Sequence, residues 1–173
     1  PEKVFILDQM PKSMMGIYPG VYQLFSEDIY AGLKAGLQLI KKYKGLTLVF
    51  PGGKEPVGFL EGFKKFCVDY HFTHYHFESI KKDEILSEWV YILMDDRDLV
   101  HLVKHCKAHN LILGKDIGVI SLNDTGLKEI VADGITTIST DFKFMGERIA
   151  QMVLSNQKDS VKNPSRLIVR NSL

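Results

Sequence analysis

Four short, mostly apolar runs, separated by stretches of helical periodicity, limit most strongly what this chain can fold into. They are LTLVF (46–50), WVYILM (89–94), IGVISL (117–122) and ITTI (135–138). Runs this short and this apolar are typical of strands that are covered on both faces, and their alternation with helices indicates parallel pairing. We therefore predict an α/β fold built on a parallel sheet.

Further elements are predicted towards both ends of the chain. Ser26 and Asp141 can each cap a helix, and the second of these helices extends to residue 155. Residues 81–88 fit no single element, and residues 155–164 have the composition of a polar linker. The additional strands predicted are KVFIL (3–7), VYQLF (21–25), HFTHYHFES (71–79) and RLIVR (166–170).

Composition narrows the class of protein. The 173 residues carry a net charge of +1, so there is no global basic field of the kind that binds nucleic acid. No apolar run approaches the ~20 residues that span a bilayer, so we expect no membrane association. The start, PEKVFILD, has no basic-then-apolar leader, so we expect no signal peptide and a cytoplasmic protein. It also lacks an initiating Met, which indicates an excised piece or a processed product. Cys67 and Cys106 sit in helix-like patterns and are predicted to be buried, reduced thiols.

Polar side chains follow the predicted strands, and ligands of open parallel sheets bind outside the carboxyl ends of the strands. Carboxylates, amides and hydroxyls there can pair with the adjacent hydroxyls of a small polyol. Each such residue could equally be only a helix cap or a turn former. Their coincidence at one edge favours a binding site. The groups are Asp8-Gln9, Pro51–Lys54, Asp95–Asp98, Asn123–Thr125 and Ser139–Asp141.

Several segments also resemble a known family, in that family's order. They are VFILD, LTLVFPGG, YILMDD, DIGVISLND, GITTISTDFKFMG and LIVRNS. With them the chain resembles, over nearly its whole length, the C-terminal part of the effector-binding region of LacI/GalR-type transcription regulators, which have the type I periplasmic-binding-protein fold. A related arrangement joins this domain to a GntR-type winged-helix head.

The resemblance implies two lobes joined by three crossing strands, with a small molecule between them. Residues 1–27 and 140–157 would form a partial head-proximal lobe. Residues 28–139 and 163–173 would form a complete distal, effector-binding lobe. Operator DNA would be bound only through a head absent from this chain, and we expect a homodimer. The KVFIL strand and the 141–155 helix would expose apolar surface or pair with another chain.

The family's ligand contacts carry over to Asp8, Phe59, Asp95, Asn123 and Thr140. The resemblance implies an effector such as a monosaccharide or a sugar phosphate, with Phe25 or Phe59 packed against the ring and no cofactor. Phe59 stands where the sugar-binding members usually place an Arg, whose fork of donors would reach sugar hydroxyls. The identity of the effector therefore stays open.

An enzyme is the alternative class. Asp95, Asp96, Asp124 and Asp141 follow predicted strands, as the carboxylates of Mg²⁺-dependent phosphoryl-transfer sites do. No activated nucleophile can be identified from spacing, so we expect a regulator domain that turns over no substrate. In HFTHYHF only His74 and His76 share a face of the predicted strand, and two histidines without a third ligand make a weak metal site. His101, His105 and His109 are more typical of the boundary of an amphipathic helix than of a metal site.

Overall fold

The computed structural model describes residues 4–80 and 85–173. A six-stranded sheet with the order β4-β3-β5-β6-β7-β9 and a three-stranded sheet with the order β1-β2-β8 carry the fold. The strands are β1 (Ile6–Asp8), β2 (Gly20–Tyr22), β3 (Gly45–Val49), β4 (Thr73–Phe77), β5 (Trp89–Leu93), β6 (Gly118–Leu122), β7 (Thr136–Thr140), β8 (Ser160–Lys162) and β9 (Ser165–Ile168). The helices are α1 (Phe25–Ala35), α2 (Leu37–Ile40), α3 (Gly58–Asp69), α4 (Asp96–Ala108), α5 (Gly126–Ile130) and α6 (Phe142–Ser155).

The chain divides into two compact units. The first unit comprises the described residues up to Leu24 together with Thr140–Arg166. The second unit comprises the described residues of Phe25–Ser139 together with Leu167–Leu173. Within the described residues, no helix has the length and apolar character needed to cross a membrane.

Strands β3 to β7 of the larger sheet pair in parallel, and the central ones are buried on both faces. Successive side chains of a strand point to opposite faces. Val90 and Ile92 accordingly join the core cluster that contains Phe63 of α3, whereas Tyr91 and Leu93 join the cluster that contains Leu102 of α4. This two-sided burial explains why the runs are apolar throughout, and it confirms the predicted α/β fold with a parallel sheet.

The first unit has a much smaller core. Its three short strands are parallel, and Val21, Met145 and Met152 are its buried apolar cluster. Apolar side chains also remain at its surface: Leu7 is 46% exposed and Leu154 is 87% exposed. The sequence predicted exposed apolar surface on this strand and this helix, and the described residues have it.

Several local predictions need correction. The run VYQLF (21–25) is not one strand: β2 ends at Tyr22, and Phe25 is the first residue of α1, so Ser26 cannot be its cap. The helix after it breaks at Gly36 into α1 and α2. Polar residues 155–164 contain β8, and the last strand spans Ser165–Ile168 rather than 166–170. Lys3, at the start of the predicted first strand, and residues 81–84 of the ambiguous segment lie outside the described residues.

Candidate ligand-binding site

Two of the predicted contact residues lie at the same edge of the larger sheet. Leu93 of β5 pairs with Ser121 of β6 in a parallel register. Asp95 and Asn123 each lie two residues beyond these paired positions. Because parallel strands end at a common edge, and ligands of open α/β sheets bind there, the edge that carries Asp95 and Asn123 is the candidate site of the second unit. We call it the ligand edge.

Asn123 is held by its backbone and leaves its side chain free. Its φ is +59°, in the left-handed region that Asn tolerates better than most residues. Its N–H donates to the Ile138 carbonyl at 2.9 Å, and its carbonyl accepts from Lys128 Nζ at 2.8 Å. The side chain is exposed, and its carboxamide makes no hydrogen bond to any residue in 4–80 or 85–173. A fixed backbone that carries an unengaged amide suits recognition of hydroxyl groups.

Asp124, the next residue, has the opposite role. Its carboxylate accepts from both terminal nitrogens of Arg170, at 2.6 and 2.9 Å, and from the Thr137 hydroxyl at 2.9 Å. Its N–H donates to Ser139 Oγ at 2.9 Å. Hydrogen bonding from the Arg170 guanidinium holds the pKa of Asp124 below its usual value. Bidentate pairing of this kind fixes geometry, so Asp124 anchors the end of β6.

Asp95 is the N-cap of α4. Its carboxylate accepts from the backbone N–H of Arg97 at 2.7 Å and from the guanidinium of the same residue. These bonds, the side-chain one first, lower the pKa of Asp95. Asp95 therefore has a structural role as the cap of α4. A ligand that binds its carboxylate would have to share it with Arg97.

The two predicted aromatic contacts face each other. The rings of Phe25 and Phe59 have centroids 4.9 Å apart and are tilted by 53°. Gly62 allows this approach of α1 to α3, since a Cβ there would lie only 2.2 Å from the Ser26 carbonyl oxygen. Both rings are half-buried, so each retains surface on which an apolar face of a ligand could pack.

In the first unit, Asp8 and Thr140 are linked through a residue that sequence reasoning missed. Gln23 donates to the Asp8 carboxylate through Nε2 and accepts from the Thr140 hydroxyl through Oε1. The predicted strand VYQLF places Gln23 in its interior, whereas in the structure Gln23 directly follows the end of β2. Asp8 lies opposite Tyr22 in the parallel register, so Gln23 lies one residue beyond the position paired with Asp8. The sequence contains no signal for this contact, because VYQLF has the pattern of one uninterrupted strand.

The carboxylates of the enzyme alternative do not gather into a metal site. Asp96 pairs with Lys128, and Asp141 caps α6 through the Phe144 N–H. Across residues 4–80 and 85–173, no three His, Cys, Asp or Glu side chains are grouped as metal ligands would be. Each of these strand-end aspartates therefore has at least one partner within the protein, a cation or a backbone N–H group.

The histidines of α4 lie in a cationic setting. His101, His105 and His109 line a surface cavity of about 520 Å³ together with Arg97 and Lys104. The rings of His105 and His109 stack with centroids 4.1 Å apart. These positive neighbours disfavour a bound metal cation at this surface.

Both cysteines are free and buried, as predicted. Burial raises the pKa of the Cys67 thiol to about 12 and that of Cys106 to about 11. Thiols held protonated in this way are poor nucleophiles and poor metal ligands, so they serve as core residues.

The sequence profile of the periplasmic binding protein-like domain matches residues 56–173. A comparison with curated protein sequences finds no match. The family and the fold agree with the resemblance to LacI/GalR-type effector-binding domains, and a family of binding domains agrees with the expectation that the chain is not an enzyme.

Solved structures share the fold at low sequence identity. A LacI-family transcriptional regulator, CCPA from Weissella paramesenteroides with bound sucrose, is 16% identical with a TM-score of 0.77, over 99% of this chain and 69% of that one. The Lac repressor bound to ONPG is 15% identical with a TM-score of 0.71, over 98% and 56%. The Escherichia coli transcriptional repressor ascG is 13% identical with a TM-score of 0.72, over 98% and 68%. The chain therefore spans 56% to 69% of the length of these structures.

Proposed function

The chain belongs to the family of periplasmic binding protein-like domains, and from this membership we propose that it is the ligand-sensing and dimerising part of a cytoplasmic, DNA-binding transcription regulator. Its effector is a small sugar-like molecule. The LacI-family transcriptional regulator CCPA from Weissella paramesenteroides, which has the same fold, has been solved with bound glucose and with bound sucrose. We assign contact with operator DNA to a head outside these 173 residues.

The effector contacts that we propose fall into two sets. In the first unit they are Asp8 and Thr140, which Gln23 links by hydrogen bonds. In the second unit they are Asp95 and Asn123 at the ligand edge, with the Phe25 and Phe59 rings as apolar surface. The observation that carries the proposal is Asn123, whose backbone is fixed at both its N–H and its carbonyl while its carboxamide stays unengaged.

The signal would arise from a population shift. An effector changes the balance between two conformations only by as much as its affinity for them differs. A monosaccharide or a sugar phosphate that binds one conformation better would thereby alter how the paired DNA-binding heads engage an operator. The domain performs this role without turning over its ligand.

A screen of ligand-induced stabilisation tests the proposal. The thermal midpoint of the intact protein is measured with glucose, sucrose and glucose 6-phosphate, with and without Mg²⁺. We expect at least one of them to raise the midpoint, with no dependence on Mg²⁺ and no release of phosphate. A protein stabilised by none of the three, or one that hydrolyses the phosphate, would contradict the proposal.

We propose that dimerisation uses exposed apolar side chains of α4 and α5. An ion pair between Asp96 of α4 and Lys128 of α5 links these two helices. Val100 is 48% exposed, Leu127 60% and Ile130 74%. Leu127 and Ile130 belong to the same short helix, and contiguous exposed apolar surface marks interaction sites. We expect the intact protein to sediment as a dimer and the Ile130→Asp variant to sediment as a monomer. A wild-type monomer, or a variant that stays fully dimeric, would remove this surface from the interface.

A further inference from the structure

Lys128 of α5 is buried although its helix lies at the surface. Its side chain is only 4% exposed. Nζ donates to the Leu122 carbonyl at 2.8 Å and to the Asn123 carbonyl at 2.8 Å, and it lies 3.0 Å from Asp96 Oδ1. An ammonium group has three donors, so every one of them has an acceptor here. Lysine at a surface helix ordinarily extends its charge into water, which makes this arrangement exceptional.

The acceptors show what the buried charge does. Taking an ammonium group out of water is costly unless it is paired and hydrogen-bonded, so the surrounding groups must be held in place around it. Two of them are consecutive carbonyls at the end of β6, and the left-handed backbone of Asn123 directs both to the same atom. The third belongs to the first residue of α4, which follows β5. Lys128 thus joins the ends of two neighbouring strands.

We propose that Lys128 is a positioning residue of the ligand edge and that it brings Asp96 into the site. The same ammonium holds the Asn123 turn and the Asp96 carboxylate side by side. Asp96 is 61% exposed, so its second oxygen remains available as an acceptor near the Asn123 turn. A carboxylate next to an amide suits two neighbouring hydroxyls of a polyol. This assignment rests on the proposed function and adds a contact residue to it.

Amide hydrogen exchange, followed by NMR on the intact protein without sugar, tests the positioning role. In Lys128→Met the amides of Asn123 and Asp124 should exchange about tenfold faster or more, because a charge-assisted hydrogen bond to the turn is lost. Leu46 and Leu48 in β3 should keep their rates. In the matched variant Lys64→Met, where the lysine of α3 is exposed, none of these rates should change.

Two outcomes would overturn the proposal. They are unchanged exchange at the turn, and an equal acceleration at the turn and in β3, which would make Lys128 a general stabilising residue. If Lys128→Met does not fold, Asp96→Asn replaces it, because its exposed side chain can change without disturbing the core. That variant should still speed exchange at Asn123 about threefold, and no change there would equally overturn the proposal.

Sugar binding is a separate arm of the experiment. A sugar that stabilises the wild-type protein should bind Lys128→Met and Asp96→Asn about tenfold more weakly or worse, and should bind Lys64→Met as the wild type does. Equal binding to all three variants would remove Asp96 and Lys128 from the ligand edge. Hydrogen exchange is measured without sugar, so it tests the positioning role of Lys128 independently of the sugar screen. A failed sugar screen contradicts the proposed function but does not change the interpretation of the exchange rates.

Discussion

The ends of β5 and β6 are neighbours at one edge of the sheet, yet they use their polar residues in opposite ways. At the end of β5, Asp95 turns its carboxylate back onto the protein, where it caps α4 and pairs with Arg97. At the end of β6, Asp124 makes the hydrogen bonds within the protein, to Arg170 and Ser139, and the side-chain amide of Asn123 makes none with the described residues. A strand-end polar residue can thus be occupied within the fold or remain available to a ligand, and its internal hydrogen bonds distinguish the two.

Removing the anchor of β6 should have the largest effect on stability. In Asp124→Ala, Arg170 would keep a partly buried charge without its main partner, and we expect a loss of about 2–4 kcal/mol in the free energy of unfolding. Chemical denaturation measures it. Glu88→Ala is the control, since Glu88 pairs with Lys44 where both side chains are more than half exposed, and it should lose less than about 1 kcal/mol. Equal losses would show that Asp124 is an ordinary surface partner.

The same anchor should give stability a defined dependence on pH. The pKa of Asp124 is lowered in the folded state, so its stabilising contribution is complete above the unfolded value of about 3.9 and is lost as pH falls through the folded pKa. The free energy of unfolding, measured at intervals of about one pH unit from about pH 5 to about pH 2, should therefore fall more steeply for the wild type than for Asp124→Asn. Parallel curves would contradict the assigned role.

The cap at the end of β5 should matter less. Asp95→Ala removes the N-cap of α4 and should cost about 1 kcal/mol, whereas Asp95→Asn, which retains a capping oxygen, should cost little. We also expect Asp95→Ala to weaken binding of a stabilising sugar without unfolding the chain. If Asp95 contacts the ligand through its charge, Asp95→Asn weakens binding as well. Unchanged affinity in both variants, measured by calorimetry, would leave Asp95 with its capping role alone.

Much of this comparison could be predicted from sequence, because it depends on local patterns. The runs LTLVF, WVYILM and IGVISL indicated the central strands, since a strand buried on both faces must be apolar on consecutive residues. Once these strands were predicted, the polar residues that directly follow each of them could be identified as candidates for a site at the edge of the sheet. VYQLF misled, because a short apolar run does not show whether its last residues continue a strand or, like Phe25, begin a helix.

The division of roles at the strand ends could not be predicted. Asp and Asn after a strand have the same appearance in sequence whether they cap, anchor or bind. Only the structure shows that Arg170, distant in the chain, occupies Asp124, or that Arg97 occupies Asp95. Lys128 is the clearest example, because a lysine in a short surface helix gives no sign that backbone carbonyls will enclose its charge.

The smallest expected change in stability belongs to the residue expected to matter most for binding. Asn123→Gly removes the carboxamide and keeps a residue that accepts positive φ, so the free energy of unfolding should change by less than about 0.5–1 kcal/mol. Asn110 provides a matched control: it is also exposed, has a φ of +55° and lies after the end of α4. Asn110→Gly makes the same chemical change away from the ligand edge.

Calorimetric titration of both variants with a sugar that stabilises the wild-type protein tests the central claim most directly. We expect Asn110→Gly to bind as the wild type does and Asn123→Gly to bind at least about tenfold more weakly, although both fold equally well. Equal affinity in the two variants would show that the ligand edge of the second unit does not grip the effector through Asn123.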